Sequence, residues 1–369
     1  MSAAAPARRA PRRAVINGRF LTQRVTGVQR AARETVLALD GVLADGEADG
    51  DDWAVEIVVP ADAAEWPLRR VRVRRVAGLR GHAWEQCVLP LAARGAVLLS
   101  LANTAPAALR RQVVTIHDAS VWAVPEAYSW RFRAWYRILL PWLGRRAARV
   151  HTSSDFSRGE LARFAGLPPA RATVVPLGAD HMLRVAPDES VLDRHGLRAR
   201  PFVLAVASRS PHKNLARVEQ LAGRPELGGA DVVIAGGEFP AVFQAGVDSR
   251  APVRRLGHVS DGELRALYDH AACLLYPSLY EGFGLPPLEA MACGCACVVA
   301  RSASLPEICG DAALYCDATS VDDIAHQVGV LLGDVALREA LRGRGRARAA
   351  RFTWAETARS VLRSLRECA

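Results

Sequence analysis

Tyr276-Pro-Ser-Leu-Tyr-Glu-Gly-Phe-Gly-Leu-Pro-Pro-Leu-Glu-Ala-Met-Ala-Cys-Gly294 is the stretch from which the rest of the chain can be read. Just upstream, Ala272-Cys-Leu-Leu-Tyr276 is an apolar run of strand length, and Pro277 ends it because proline has no N–H to give a ladder. Downstream, Pro286 and Pro287 preset φ for a first helical turn, and Gly294 stands where a helix end favours glycine. Glu281-Gly-Phe-Gly-Leu285 lies between strand and helix, where a glycine loop can turn bare backbone N–H groups toward an anion. Two carboxylates bracket it: Glu281 in the loop and Glu289, expected in the first helical turn, with seven residues between them. A glycine loop after a strand is common, and a glutamate at a helix start often just answers the helix dipole. Two acids, two glycines, two prolines and a capping glycine in one register are far more specific.

The same alternation of strand, turn and helix extends on both sides. Downstream lie an apolar strand at 297–300, helical patterns at 321–332 and 335–350, and a last helix beginning near Phe352-Thr-Trp-Ala-Glu356. Upstream, a strand at 201–206 leads into Ser208-Arg-Ser-Pro-His-Lys-Asn214 and a helix through Leu221. A basic loop between strand and helix is again an anion site. Another strand follows at 231–235, and Leu256-Gly-His-Val-Ser260 precedes a helix capped by Ser260 or Asp261.

The first half follows the same grammar. A strand at 14–17 runs through the turn Thr26-Gly-Val-Gln-Arg30 into a helix to Leu39, with Val28, Ala32, Val36 and Leu39 on one face. Residues 41–52 are acidic and glycine-rich, a solvated loop. Strands are expected at 53–59, 71–76, 97–100 and 113–116, the last delivering His117-Asp118 to the ligand edge of an open α/β sheet. A unit starting at Val150 places Ser154 or Asp155 at the N-cap of a helix to Phe164, residues 172–178 close the half, and the polar stretch 179–200 reads as linker plus a short helix. The whole is an α/β pattern of two doubly wound domains facing one cleft.

Half of the 369 residues are hydrophobic, ample for two cores, and no apolar run reaches the roughly 18 residues of a membrane span. Residues 1–13 read as a disordered basic tail and not a secretion signal. Cys293, Cys295 and Cys297 have no histidine or second cysteine pair at zinc spacing, so no metal is expected, and buried thiols in a reducing cytoplasm fit them. The net charge is +10 and the pI near 9.7, but no nucleic-acid-binding signature accompanies them. Anionic lipid or a diphosphate-bearing substrate accounts for the charge as well. Residues 129–149 form one long helical stretch in which tryptophans alternate with arginines, the composition of lipid headgroup interfaces as well as of a packed crossover helix, with Pro141 as a kink. Lys213 is the only lysine in the chain.

The spacing of Glu281 and Glu289, with its glycines and prolines, closely resembles the signature of family 4 glycosyltransferases, retaining enzymes of the two-domain GT-B fold. The resemblance covers nearly the whole chain, most strongly 201–310 and more weakly before 110. It implies two Rossmann-like domains, an acceptor-side one at 14–180 and a nucleotide-sugar-binding one at 181–352, with residues 353–369 crossing back onto the first. Glu289 would then hold the ribose hydroxyls of a nucleotide sugar, and the N–H groups of Phe283, Gly284 and Leu285 would line its sugar and diphosphate. Val259 would lie in a loop against the base, and Gly27 in a loop closing over the diphosphate. Lys213 and Arg209 would neutralise the diphosphate, although Arg209 stands four residues before the lysine where the common pattern has five. Glu281 and His117 would face the transferred sugar.

Glycosyl transfer builds negative charge on the leaving diphosphate and positive charge on the anomeric carbon. Preorganised donors such as Lys213 and the loop N–H groups can contribute roughly 2.7–4 kcal/mol each toward the first. With no evident covalent nucleophile, front-face departure assisted by the leaving phosphate is the implied route, without metal or cofactor. A glycosidase needs an acid and a base across the bond, which suits Glu289 behind a phosphate-type loop less well. A pyridoxal-dependent phosphorylase needs a Schiff-base lysine, and Lys213 sits in a phosphate loop. A nucleotide-sugar epimerase of related fold and, because of the charge, a nucleic-acid-binding protein stay open as alternatives. Similarity leans toward bacterial mannosyltransferases using GDP-mannose in surface-polysaccharide assembly. The expected partners are therefore a nucleotide sugar, a glycan or lipid-linked acceptor, and an anionic membrane touched peripherally from the cytoplasm through 129–149.

Overall fold

Strand pairing follows the apolar runs. The structure, a computed structural model, describes residues 12–46, 53–207, 210–236 and 253–368. Among them, β1 (Arg12–Asn17), β2 (Trp53–Pro60), β3 (Arg72–Val76), β4 (Val97–Ser100), β5 (Gln112–Thr115), β6 (Arg149–Thr152) and β7 (Ala172–Val174) form a parallel sheet in the order β3-β2-β1-β4-β5-β6-β7. A second parallel sheet, in the order β10-β9-β8-β11-β12-β13, contains β8 (Phe202–Val206), β9 (Asp231–Ala235), β10 (Val253–Gly257), β11 (Cys273–Tyr276), β12 (Cys297–Ala300) and β13 (Leu314–Cys316). Central parallel strands are covered on both faces, so they carry continuous apolar runs. Ala14 and Ile16 of β1 enter one core while Val15 enters another, and β8 divides Phe202 and Leu204 from Val203 and Ala205 in the same way. The edge strands β3 and β10 carry the arginines Arg72, Arg74, Arg75, Arg254 and Arg255, which blunt their open sides.

Both sheets reverse their winding once, between β1 and β4 and between β8 and β11. Ligands of open α/β sheets bind beyond the carboxyl ends of the strands at such points. The helix Trp354–Cys368 joins the two layers. Trp354 is fully buried in the core of the second sheet, whereas Ala358, Val361, Leu362 and Leu365 pack into the core of the first beside the helix Gly27–Ala44.

Several expectations are corrected. Arg12 and Arg13, assigned to the basic tail, begin β1, and residues 1–11 lie outside the described residues. The presumed loop at 41–52 starts later, because the first helix continues to Ala44; residues 47–52 lie outside the described residues. The stretch at 179–200 is more than linker: His181, Met182, Val191 and Leu192 are buried, the last three in the core of the second domain. The long helix spans Trp130–Arg146, continuous through Pro141, and its last expected residue, Arg149, opens β6. The short strands β10 and β13 were not foreseen.

Candidate active site

The site is built where β8 and β11 part. Tyr276 is the last residue of β11, and the chain then turns through Glu281 and Gly282 to Gly284, which precedes the helix Leu285–Ala292. Gly284 has φ +101°, a conformation that costs L side chains strain, and a Cβ there would stand 2.7 Å from the Leu305 side chain. Gly294 (φ +79°) ends the helix as expected: its N–H reaches Met291 O at 3.0 Å and that of Cys295 reaches Ala290 O at 2.8 Å. The expected place of Glu289 is corrected by about one turn. Pro286 and Pro287 occupy the first turn, and Glu289 is in the second.

From β8, the loop ending in Pro211–Lys213 is fastened to the β11 loop by backbone and side chain. Leu279 N and Ser278 Oγ donate to His212 O at 2.8 and 3.1 Å, and Asn214 Nδ2 donates to Pro277 O and Ala318 O at 3.0 and 2.8 Å. This stitching sets Lys213 against Glu281. Lys213 Nζ donates to Glu281 Oε1 at 2.6 Å and to Tyr276 Oη at 2.9 Å, while Tyr276 Oη donates to the same carboxylate oxygen at 2.8 Å. The ammonium group has three donors, and this closed triangle uses two. Burial alone would push the Glu281 carboxyl up, but the adjacent Lys213 charge and the hydrogen bonds from Lys213 and Tyr276 outweigh it, so its pKa lies below the ordinary carboxylate value. Burial, then the Glu281 charge, pushes the Tyr276 phenol well up, keeping it a neutral donor.

Glu289 is 6% exposed and faces a different pair: His181 Nε2 lies 3.1 Å from one oxygen, and Tyr268 Oη donates to the other at 3.2 Å. Trp354 Nε1 donates to His181 Nδ1 at 3.0 Å, so that ring donates to Glu289 through Nε2–H. The N–H groups of Phe283, Gly284 and Leu285 find no acceptor among the described residues. No group of side chains among the described residues is arranged to hold a metal. The cysteines of the second domain are free, and burial pushes Cys293 and Cys309 up to about 12.

The first domain brings His117 to this loop at the end of β5. Its Nε2–H donates to Leu101 O at 3.1 Å, and burial lowers its pKa, so the ring is neutral. The approach of the loop to His117-Asp118 is through backbone: a Cβ on Gly282 would lie 2.8 Å from Asp118 Cβ and 3.0 Å from His117 O. The Gly27 and Val259 segments meet on the Glu289 side of the site, where that carboxylate's charge reaches Arg30 and Val259 packs on the core holding Phe283 and Leu285. Gly27 opens the first helix on the exposed surface, and Arg30, one turn on, pairs with Asp261 beside the Val259 loop through two hydrogen bonds. Arg209 lies outside the described residues. Sequence reading missed Tyr276, Tyr268 and His181 as partners of the acids. A tyrosine ending a strand just before the loop was the one available signal; His181 sits in a polar stretch with no periodicity to mark it.

Comparison with known proteins agrees with this architecture. Residues 192–348 match the family described as glycosyl transferases group 1, and residues 48–183 match glycosyltransferase family 4. Over 262 residues the chain is 35% identical to the O-antigen chain mannosyltransferase B of Escherichia coli, covering 68% of each protein. It is 30% identical over 273 residues to the MMP alpha-(1->4)-mannosyltransferase of Mycolicibacterium hassiacum, covering 68% of this chain and 64% of that one. Among solved structures it resembles WaaG, a glycosyltransferase involved in lipopolysaccharide biosynthesis, with TM-score 0.69 and 18% identity over 95% of this chain and 98% of that chain. The Anabaena HepE protein in complex with UDP and glucose aligns with TM-score 0.67 and 16% identity over 97% of this chain and all of that one. The chain belongs to family 4 of the glycosyltransferases, with the GT-B fold.

Proposed function

We propose that the protein moves a mannosyl group from GDP-mannose to a lipid-linked glycan in surface-polysaccharide assembly, with retention of configuration and without a metal. The observation that carries the donor site is the triangle of Lys213, Tyr276 and Glu281 at the switch point of the second sheet, opposite His117 and Asp118. Lys213 and the N–H groups of Phe283, Gly284 and Leu285 would stabilise the leaving diphosphate, and Glu289 would take the ribose. The carboxylates around the loop are engaged: Glu281 by Lys213, Glu289 by His181 and Tyr268, Asp118 by Ser120 N–H at 2.8 Å. Leaving-group-assisted departure on the front face asks no nucleophile of them. The mannosyl preference rests on the similar proteins.

A thermal-shift panel of GDP, UDP, dTDP and ADP tests the donor. At a hundredfold excess over its Kd the preferred nucleotide should stabilise the fold by about 2.7 kcal/mol. Selective stabilisation by GDP is expected; stabilisation by UDP alone would reassign the sugar, and none by any nucleotide would remove the donor site.

The second part of the reading is contact with an anionic membrane. No helix among the described residues is long and apolar enough to cross one. The helix Trp130–Arg146 has two apolar faces, where a crossover helix needs one. Tyr136, Leu139, Leu140 and Leu143 are buried, while Trp130 and Ile138 are 67% and 72% exposed, with Trp135 and Trp142 also outside. Arg131 lies over the Trp130 ring and Arg146 over that of Trp142. Replacing Arg131, Arg133 and Arg145 with glutamine should weaken binding to anionic vesicles on the order of a hundredfold, at roughly 1 kcal/mol per arginine, without a change in fold. Equal flotation with neutral and anionic vesicles would leave the helix a packed crossover only.

A further inference from the structure

Three hydroxyls converge on one backbone carbonyl of the donor loop, and all three come from the other domain. Ser154 Oγ donates to Gly282 O at 2.6 Å, Ser157 Oγ at 2.9 Å and Ser153 Oγ at 3.1 Å, with every one of these serines buried. A carbonyl oxygen has two lone pairs, so this one is saturated. Ser153 shares its hydroxyl with His117 O at 3.1 Å. Ser154 caps the helix Asp155–Ala165 by accepting from Ser157 N at 3.0 Å. Capping needs only that acceptor role; it does not call for donation to a loop across the cleft.

The neighbouring carbonyls are held differently. Glu281 O and Phe283 O both accept from Ser304 Oγ, at 3.0 and 2.9 Å, within the second domain. Three successive peptide units are thus fixed by serine hydroxyls, the outer two from inside and the middle one from across. A second tie lies alongside. Glu307 accepts from Asp155 N and Phe156 N, at 2.8 and 3.0 Å, at the positive end of the same helix. The Tyr280 ring packs edge-on against Phe156 with centroids 5.6 Å apart.

We propose that Ser153, Ser154 and Ser157 are positioning residues for transfer: by gripping the Gly282 carbonyl they aim the Phe283 N–H, and with Glu307 they make that aim conditional on closure of the two domains. The peptide unit is planar and trans, so fixing the Gly282 C=O fixes the Phe283 N–H on its opposite side. That N–H is one of the groups assigned to the donor, and to this extent the inference rests on the donor-loop reading. The close approach of Gly282 to His117 and Asp118 exists only with the domains together. Closure therefore completes the electrostatic surface for the leaving group, and the open enzyme holds donor without a fully aligned loop.

The decisive variant is Ser157→Ala, which keeps the Ser154 oxygen that caps the helix. Its kcat should fall about tenfold, as a misplaced loop predicts, with nucleotide Kd by calorimetry within about twofold of wild type. Ser157→Thr, which keeps the hydroxyl, should restore turnover. Chymotryptic cleavage at Phe283, followed by mass spectrometry, should speed up in Ser157→Ala and more in the Ser154→Ala, Ser157→Ala pair, because the buried loop is then less firmly held. This readout needs no substrate. An unchanged cleavage rate in the pair, or a kcat loss matched by an equal loss of nucleotide affinity, would overturn the proposal. The donor reading itself fails by a different result, full transfer by Lys213→Ala.

Discussion

Replacing Lys213 with alanine is expected to abolish measurable transfer and to cost the fold about 3 kcal/mol, because it leaves a buried carboxylate without its counter-charge. The side chains of Lys213 and Glu281 are only 18% and 11% exposed, so water replaces little of what is lost. The pH dependence gives an internal check. In the wild type the folded-state pKa of Glu281 is depressed, so its stabilising contribution is present above the unfolded value of about 4.3 and is lost as pH falls through the folded one. Without Lys213, burial dominates and the folded pKa rises above the unfolded one, which reverses the sign. The variant should then recover stability as pH falls, and its Tm deficit against wild type should shrink between pH 7 and pH 4. Lys213→Arg keeps the charge but imposes a planar fork on a position that meets Tyr276 and Glu281 at 2.9 and 2.6 Å. It should lose most activity with a smaller loss of Tm. Near-wild-type turnover in Lys213→Arg would reduce the requirement to charge alone, and near-wild-type turnover in Lys213→Ala would remove the residue from the site.

The two acids should separate kinetically. Glu289→Ala is expected to weaken nucleotide binding about tenfold to a hundredfold, the range for hydrogen bonds to a charged group, whereas Glu281→Ala should leave nucleotide affinity near wild type and lower kcat. Glu289→Ala also strands the Tyr268 hydroxyl and the His181 N–H in a buried place. Glu289→Gln, which retains an acceptor for one of them, distinguishes lost binding from lost packing. Equal nucleotide affinity in Glu289→Gln, Glu289→Ala and wild type would detach this residue from the ribose.

The parts of the fold that were legible in the sequence are those where one local rule dominates. The strands β8, β11 and β12 are unbroken apolar runs, β9 is one after its opening Asp231, and Pro286 and Gly294 bracket their helix by backbone chemistry alone. The loop's acids and the lone lysine announced themselves by type and spacing. What stayed hidden depends on long-range pairing. The edge strand β10 carries arginines and lies among partly covered residues, so no apolar run marks it. His181 acquires meaning only because Trp354, 173 positions later, orients its ring toward Glu289. Ser153 and Ser157 look like ordinary helix-start serines until the second domain arrives to receive their hydroxyls.

The crossing helix Trp354–Cys368 has a consequence for how the chain is made. The strands of the first sheet end at Val174, yet Val361 and Leu365 complete the core on one of its faces. Domains generally fold as units, N-terminal first, during synthesis; here the first domain emerges from the ribosome with an apolar groove beside the helix Gly27–Ala44 still uncovered. That groove waits through translation of the entire second domain. A ribosome stalled before position 354 would hold a nascent chain whose first half is aggregation-prone and whose second half lacks Trp354. The early domain is thus the last to finish folding.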